Sequence, residues 1–546
     1  MRMPFSTITR SRLPRGIVAV VLTALALSSC GEPTSQRDTA GADKPKLAPL
    51  PADQSPSTTG LTVEQIRTLV GKWCGACHMP PDPGDLPRER WPYMIKWMGV
   101  YLGHPNSDED IKNLIYPTLV PTQPSITREE LDAIEAYYVD AAPVEIAPAF
   151  PRDQSLPITT LFRPEHWPGY DRPLTVSLVK IDAERRHLYL GPADPALVHL
   201  FSADGKLLNK VNCSQNQAVE VRPTDEGFDL VLMGNLEIDV GQGTAHKISV
   251  TGMRIGPLRA ERIVEGFHRT SGAAWGDLDG DGNEDIVMAG FGDYADGALA
   301  WFAVKPGQES VRHDLRVGSG TLDAVIDDVD HDGDLDILSI VAQGHQEMWW
   351  FENDGKGNFQ PHLLWKERPG MGYNAFQWID FDGDGDKDII AVAGNNMEMA
   401  DPPLKSMHGV YVYVQTAPMQ FTKTHFLRMD GATKALAGDY DGDGDLDIAA
   451  ISAYPDWRAD SPVVFVLFTN EGEGQFTPST IPAAFSGQPI TMDAGDLDSD
   501  GDLDIVLGGA KWAPLLPEPL LTKASEQIRT APAVVLLRNQ SAPSDR

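Results

Sequence analysis

Apolar and polar positions along the chain change their period more than once. The opening run Ile17–Leu27 is apolar except at Thr23, and the stretch over 31–59 is polar and proline-rich with no apolar period. Ile66, Leu69, Val70 and Trp73 then recur at three- and four-residue spacing, as do Leu131, Ile134 and Tyr138, the mark of helices with one buried face. Thr62 with Gln65 and Thr127 with Glu130 form capping boxes at their starts, and Pro143 marks the end of the second. Between them Met94 and Met98 stand four residues apart, a spacing that puts both on one side of a helix. From about residue 160 the pattern becomes short apolar runs such as DIVMAG, DILSIV and DIIAVAG, each followed by a second run such as EMWWFEN or GVYVYVQ. Strands joined by hairpins follow, with turn signals at Asn353–Gly357 and Asn470–Gly474. The expected division is a leader over 1–29, a tether over 30–59, a helical domain over 60–143, a linker over 144–159 and a β domain over 160–546.

The β domain repeats itself. Five segments share the pattern D-x-D-x-D-G-x-x-D, beginning at Asp277, Asp328, Asp380, Asp439 and Asp496, at intervals of 51, 52, 59 and 57 residues. The candidate ligands are Asp277, Asp279, Asp281 and Asp285; Asp328, Asp330, Asp332 and Asp336; Asp380, Asp382, Asp384 and Asp388; Asp439, Asp441, Asp443 and Asp447; and Asp496, Asp498, Asp500 and Asp504. Carboxylates at positions 1, 3, 5 and 9 around a turn-making glycine suit a hard cation, because Ca²⁺ takes six to eight oxygens in flexible geometry. About five Ca²⁺ are expected. No bidentate Glu at position 12 and no flanking helix pair is present, which excludes a helical EF-hand. Each loop carries five acids, and folding them together without counter-ions would set them repelling one another.

A second chemistry sits at the end of the first helix, in Cys74-Gly75-Ala76-Cys77-His78. Cys-x-x-Cys-His is the attachment pattern of c-type haem, with two thiols bonded to the vinyl groups and the histidine as proximal iron ligand. A thioredoxin pair would need a βαβ setting, and a zinc site a second ligand pair; neither is present. One covalent haem c is therefore expected on Cys74, Cys77 and His78. Met79 adjoins the histidine and cannot reach the opposite face, leaving Met98, Met94 and, more remotely, His104 as distal candidates. Cys213 reads as a buried thiol.

Composition narrows the function. A formal net charge of −33 argues against nucleic acid, whose binding rests on basic patches. Four cysteines are too few for a disulfide scaffold. Arg2, Arg10, Arg12 and Arg15 before the apolar run, with small residues after it, describe a secretory signal.

Three resemblances add to this. Leu27-Ser28-Ser29-Cys30 resembles the lipobox of bacterial lipoproteins, implying lipidation of Cys30 and an exported chain anchored on the periplasmic or surface side of the outer membrane. Residues 60–143 resemble a minimal class I cytochrome c domain, in which a Met-Gly after a Trp-rich segment supplies the distal ligand; this favours Met98. The acidic loops resemble the FG-GAP (VCBS) repeats of β-propellers, in which such a loop joins the first two strands of a blade. Aligning His187 and Asp229 with Asp285, Asp336, Asp388, Asp447 and Asp504 gives seven units. The implied fold is a small all-α cytochrome domain followed by an all-β seven-bladed propeller, its last strand closing the ring with a segment near 155–180. The turns after each second strand, from Gly292–Tyr294, Gln343–Gln346, Asn395–Glu398, Tyr454–Trp457 and Lys511–Trp512, should then share the face opposite the acidic loops. That face would suit a redox partner protein or a small polar or sugar ligand, with the membrane reached only through the lipid. The expected function is electron transfer through the haem. The alternative is a calcium-dependent glycan- or protein-binding propeller with an accessory haem. No triad, histidine metal cluster or phosphate loop points to catalysis by the propeller.

Overall fold

The computed structural model describes residues 61–106, 111, 119–172, 174–213, 216–234, 243–249, 259–292, 296–396, 400–472, 474–512 and 515–541. The leader, the tether and Cys30 lie outside the described residues. Seven four-stranded antiparallel sheets make the β domain. Their innermost strands are Val176–Asp182, Ala218–Thr224, Thr270–Gly276, Thr321–Asp327, Tyr373–Ile379, Ala432–Gly438 and Pro489–Gly495. We number the blades 1 to 7 in that order. The second strands of blades 3 to 6, Asp285–Gly290, Asp336–Val341, Asp388–Ala393 and Asp447–Ser452, are buried along their whole length. They read as continuous apolar runs because the neighbouring blades cover both of their faces.

Blade 7 closes the ring. Its fourth strand is Phe162–His166 from the start of the domain, paired antiparallel with Val534–Asn539 from the end, Phe162 opposite Asn539. The closure expected near 155–180 is there, and it ties the ring shut by building one blade from both ends of the domain. Every innermost strand also carries a register shift at its second residue. Such bulges re-aim a side chain, and here they staple blades. Ser177 Oγ donates to the Ala218 carbonyl at 2.8 Å, Ser271 Oγ to Thr321 at 3.0 Å and Asn374 Nδ2 to Ala432 at 2.8 Å.

The helical segment has α1 (Val63–Trp73), α2 (Trp91–Tyr101) and α3 (Arg128–Ala141), and both capping boxes are formed. Trp91 packs on Tyr138 at 4.3 Å between ring centroids. Trp91 Nε1 donates to the Pro83 carbonyl at 3.0 Å, and the Tyr138 hydroxyl to Pro81 at 2.8 Å, so the loop after His78 is held on the helical core. A further helix, α4 (Leu520–Thr530), lies in the last blade's long connection, where Ala524 and Ile528 pack on Trp457 and Leu516.

Antiparallel blades put the first and third turns of each sheet on one face and the second and fourth on the other. The helical segment sits on the latter. Arg90 donates to the Asp401 carboxylate at 2.8 Å, which also takes Arg458 at 2.7 Å. Arg368, between blades 4 and 5, reaches Asp85 at 3.1 Å and Asp82 at 3.5 Å. The linker expected over 144–159 is pinned as well: Ala149 N donates to Asp430 at 2.8 Å and Arg152 Nε to Asp456 at 2.6 Å.

Burial is the main influence on Asp85 and pushes its pKa up to about 6, with Arg368 pulling it back. A carboxyl raised in the folded state binds more protons there than in the unfolded chain, so its contribution to stability falls as pH rises from about 4 toward 6. Arg368→Met removes the compensating charge. We expect it to cost about 1–3 kcal/mol at pH 8 and markedly less at pH 5, measured by urea unfolding. Equal losses at both pH values would contradict this reading of the contact.

Candidate functional site

The five acidic loops sit between first and second strands, as expected, and share one backbone form. Position 4 is left-handed in all five: Gly280, His331, Gly383, Gly442 and Ser499, with φ between 62° and 80°. Position 6 is left-handed too, always glycine, with φ between 85° and 100°. This turn curls the carboxylates inward. Ligand oxygens of Asp277, Asp279 and Asp285 lie within 4.8 Å of one another, as do those of Asp380, Asp382 and Asp388. In the other three loops the converging sets are Asp328, Asp330 and Asp332; Asp439, Asp441 and Asp443; and Asp496, Asp498 and Asp500. Asp281 and Asp384 lie in their loops at position 5 without joining those closest sets.

Position 9 does a different job from positions 1, 3 and 5. Asp285, Asp336, Asp388, Asp447 and Asp504 are at most 1% exposed, and each accepts from the backbone where the third strand ends. The donors are Val304 at 3.0 Å, Asn353 at 2.7 Å, Gln415 at 2.8 Å, Asn470 at 2.8 Å and Asn539 at 3.0 Å. In blades 3, 5 and 6 the second oxygen accepts from the amide at position 2. Burial raises these carboxyls, Asp336 and Asp504 to about 6 and Asp447 to about 7. The position-9 aspartate is therefore a brace between loop and strand as well as a possible ligand.

Basic side chains near the loops escaped sequence reasoning. In blades 1 and 2, which lack the acidic pattern, an arginine stands where negative charge gathers. Arg185 reaches Asp182 at 3.3 Å and Asp225 at 2.8 Å; Arg222 pairs with Asp229 and takes Glu284 of blade 3 at 2.7 Å. In blade 7 Arg538 donates to Asp498 at 2.6 Å and Asp504 at 2.9 Å. In blade 3 Lys305 reaches Asp281 at 2.7 Å, and that contact is the main force holding Asp281 down at about 2. The Arg538 guanidinium competes for the same oxygens as a cation, so the Asp496 loop should bind Ca²⁺ most weakly. Arg538→Gln is expected to tighten that loop about tenfold in a calorimetric titration; an unchanged isotherm would show that the arginine does not compete.

At the end of α1, Cys74 is partly buried and Cys77 exposed. Burial pushes the Cys74 thiol up to about 11. His78 Nδ1 lies 3.0 Å from the Met79 carbonyl oxygen, which fixes that nitrogen as the N–H and leaves the lone pair on Nε2. Met94 packs with the cluster containing Cys74 and Trp91, and both Met94 and Met98 pack beside Trp97, Val100 and Ile111. His104 Nε2 is 2.8 Å from the Ile126 carbonyl oxygen, an engagement that weakens it as a distal ligand. Cys213 is buried.

The turns after the second strands gather on the face that carries the helical segment. A Cβ placed on Gly344 would lie 3.9 Å from His78 Cδ2, so the Gln343–Gln346 turn faces the proposed ligand. Trp457 is 3% exposed and packs on α4, which makes it core. Tyr454 and Trp512 pair at 6.1 Å. Asp293, Tyr294, Met397 and Glu398 lie outside the described residues.

Residues 328–391 and 452–507 match the FG-GAP-like repeat family. Both matched segments are similar to FG-GAP-like repeats. The matched residues include three of the five loops, those beginning at Asp328, Asp380 and Asp496, and the other two share their turn geometry. No curated protein matches the chain. Among solved structures, the Dos1 propeller is similar at TM-score 0.40 and 10% identity, covering 68% of this chain and 80% of that one. The β-propeller domain of Myceliophteria thermophila Cps50 (Swd1) is similar at TM-score 0.41 and 10% identity, covering 68% of this chain and 98% of that one. The blade count rests on the chain's own seven sheets.

Proposed function

We propose that the chain is an exported, lipid-anchored c-type cytochrome, carrying electrons through one covalent haem seated on a calcium-braced propeller that docks a partner or substrate. The observation that carries this reading is the Cys74–Cys77–His78 constellation at the end of α1, with His78 Nδ1 tied to a backbone carbonyl. The residues fit the group. The two thiols stand three residues apart just past the end of α1, the imidazole tautomer is fixed, and α2 carries Met94 in the cluster that holds Cys74 and Met98 in the adjoining one. When bound, haem would supply a one-electron couple. Cys74 and Cys77 would hold it, His78 would ligate it from one side and Met98, with Met94 as the alternative, from the other. The acidic loops would take Ca²⁺, and Cys30 would carry the lipid.

The second reading, a glycan- or protein-binding propeller with an accessory haem, draws on the Tyr454–Trp512 pair, because paired aromatics suit sugar rings. A redox titration of the purified holo-protein in the presence of candidate partners and sugars separates the two. Electron transfer predicts that haem reduction responds to whatever the propeller binds. A haem that never responds would favour the accessory reading.

A further inference from the structure

Loop Gln343–Gln346 of blade 4 is built to hold one shape. Gln343 and Gln346 are both left-handed at φ 57°, a conformation that is costly for a non-glycine residue and persists only where the surroundings impose it. Gln346, 1% exposed, imposes it: its Nε2 donates to the Gln343 carbonyl at 2.6 Å and its Oε1 accepts from Tyr373 N at 2.7 Å. The tip of this loop, Gly344, is the residue against His78 Cδ2.

A charged pair stands directly behind it. Glu347, 6% exposed, opens the third strand of blade 4 and lies opposite Lys366 in the sheet register. Its carboxylate takes Trp349 Nε1 at 2.9 Å and Lys366 Nζ at 3.1 Å, with His345 at 3.5 Å. Lys366 is thereby held on the side of the sheet that faces the helical segment. Arg316, from blade 3, donates to the Gly318 and Ser319 carbonyls at 3.0 Å each.

We propose that blade 4 is a positioning element for the haem iron: Lys366, fixed by Glu347, sets the reduction potential of the group bound at His78. The proposal rests on the haem reading above. Reduction adds one negative charge at the iron, so a fixed ammonium nearby favours the reduced state and a carboxylate disfavours it, more strongly in a partly buried setting than in water. The closeness is geometric: the Gly344 tip that meets His78 Cδ2 lies three residues before Glu347, which holds Lys366.

The test is the midpoint potential of purified holo-protein by spectroelectrochemistry, with covalent haem checked in each variant by the spectrum of the denatured chain. Lys366→Gln should shift the reduction equilibrium about three- to tenfold toward the oxidised state, where tenfold corresponds to about 59 mV for a one-electron couple. Glu347→Gln should shift it the other way, and Lys366→Arg should leave it unchanged. A purely structural role would move both neutralising variants in one direction or neither. Haem present with unmoved or same-signed potentials overturns the tuning role and leaves the haem reading standing. Wild-type protein without covalent haem overturns both.

Discussion

Changing Cys74 and Cys77 together to serine should yield a colourless protein that still folds as a propeller. On the proposed haem reading the effect is all or none, because two thioether bonds would be the covalent hold on the group and ligation by His78 alone would leave it free to dissociate. The propeller survives because its seven sheets close on themselves through Phe162–His166 and Val534–Asn539, far from the cysteines in sequence. The measurement is the visible spectrum and the far-ultraviolet circular dichroism of both proteins after export from a host that matures c-type cytochromes. His78→Ala with the cysteines intact should keep the colour but lose the spectrum of a six-coordinate haem. A wild type and a double-serine variant with the same visible spectrum would remove the haem from the account.

Removing calcium has the second large effect, and it falls on stability. A ligand that binds only the folded state adds about 2.7 kcal/mol per site at a free concentration of 100 Kd. Lys305 stands at the Asp277 loop and Arg538 at the Asp496 loop, where each competes with a cation for carboxylate oxygens. Three strong sites and two weaker ones are therefore expected in a calorimetric titration. Chelation should lower the melting temperature by roughly 10 °C or more if the propeller unfolds as one unit. The triple change Asp328→Asn, Asp380→Asn and Asp439→Asn should abolish most of that response while leaving the fold assembled at low temperature. A melting temperature indifferent to both calcium and chelator would mean that the loops are solvated acidic turns.

Much of this architecture was legible in the sequence. The acidic repeat marked five blades, the aligned strand patterns at His187 and Asp229 supplied the other two, and the runs after the loops are apolar because a strand covered on both faces must be apolar throughout. The capping boxes at Thr62 and Thr127 placed two helix starts to the residue. What escaped has a common cause. Arg538, on a third strand, and Lys305, just beyond one, lie 34 and 24 residues away in sequence from the loop aspartates they reach, and no local pattern announces a partner brought in by sheet pairing. The seat of the helical segment on blades 4 and 5 depends on single residues, Arg90, Arg368 and Asp401, whose meaning exists only once the ring is closed. α4 was within reach, since Leu520, Leu521, Ala524 and Ile528 keep helical spacing. The dual work of the position-9 aspartates was not, because a brace and a ligand demand the same residue.

The most direct test of the central claim is the intact mass of the exported, fully denatured chain. The account predicts the mass of the processed polypeptide plus one haem, retained after acid extraction and lost when Cys74 and Cys77 are both replaced. A polypeptide without added haem, or a haem that acid extraction removes from the wild type, would contradict it.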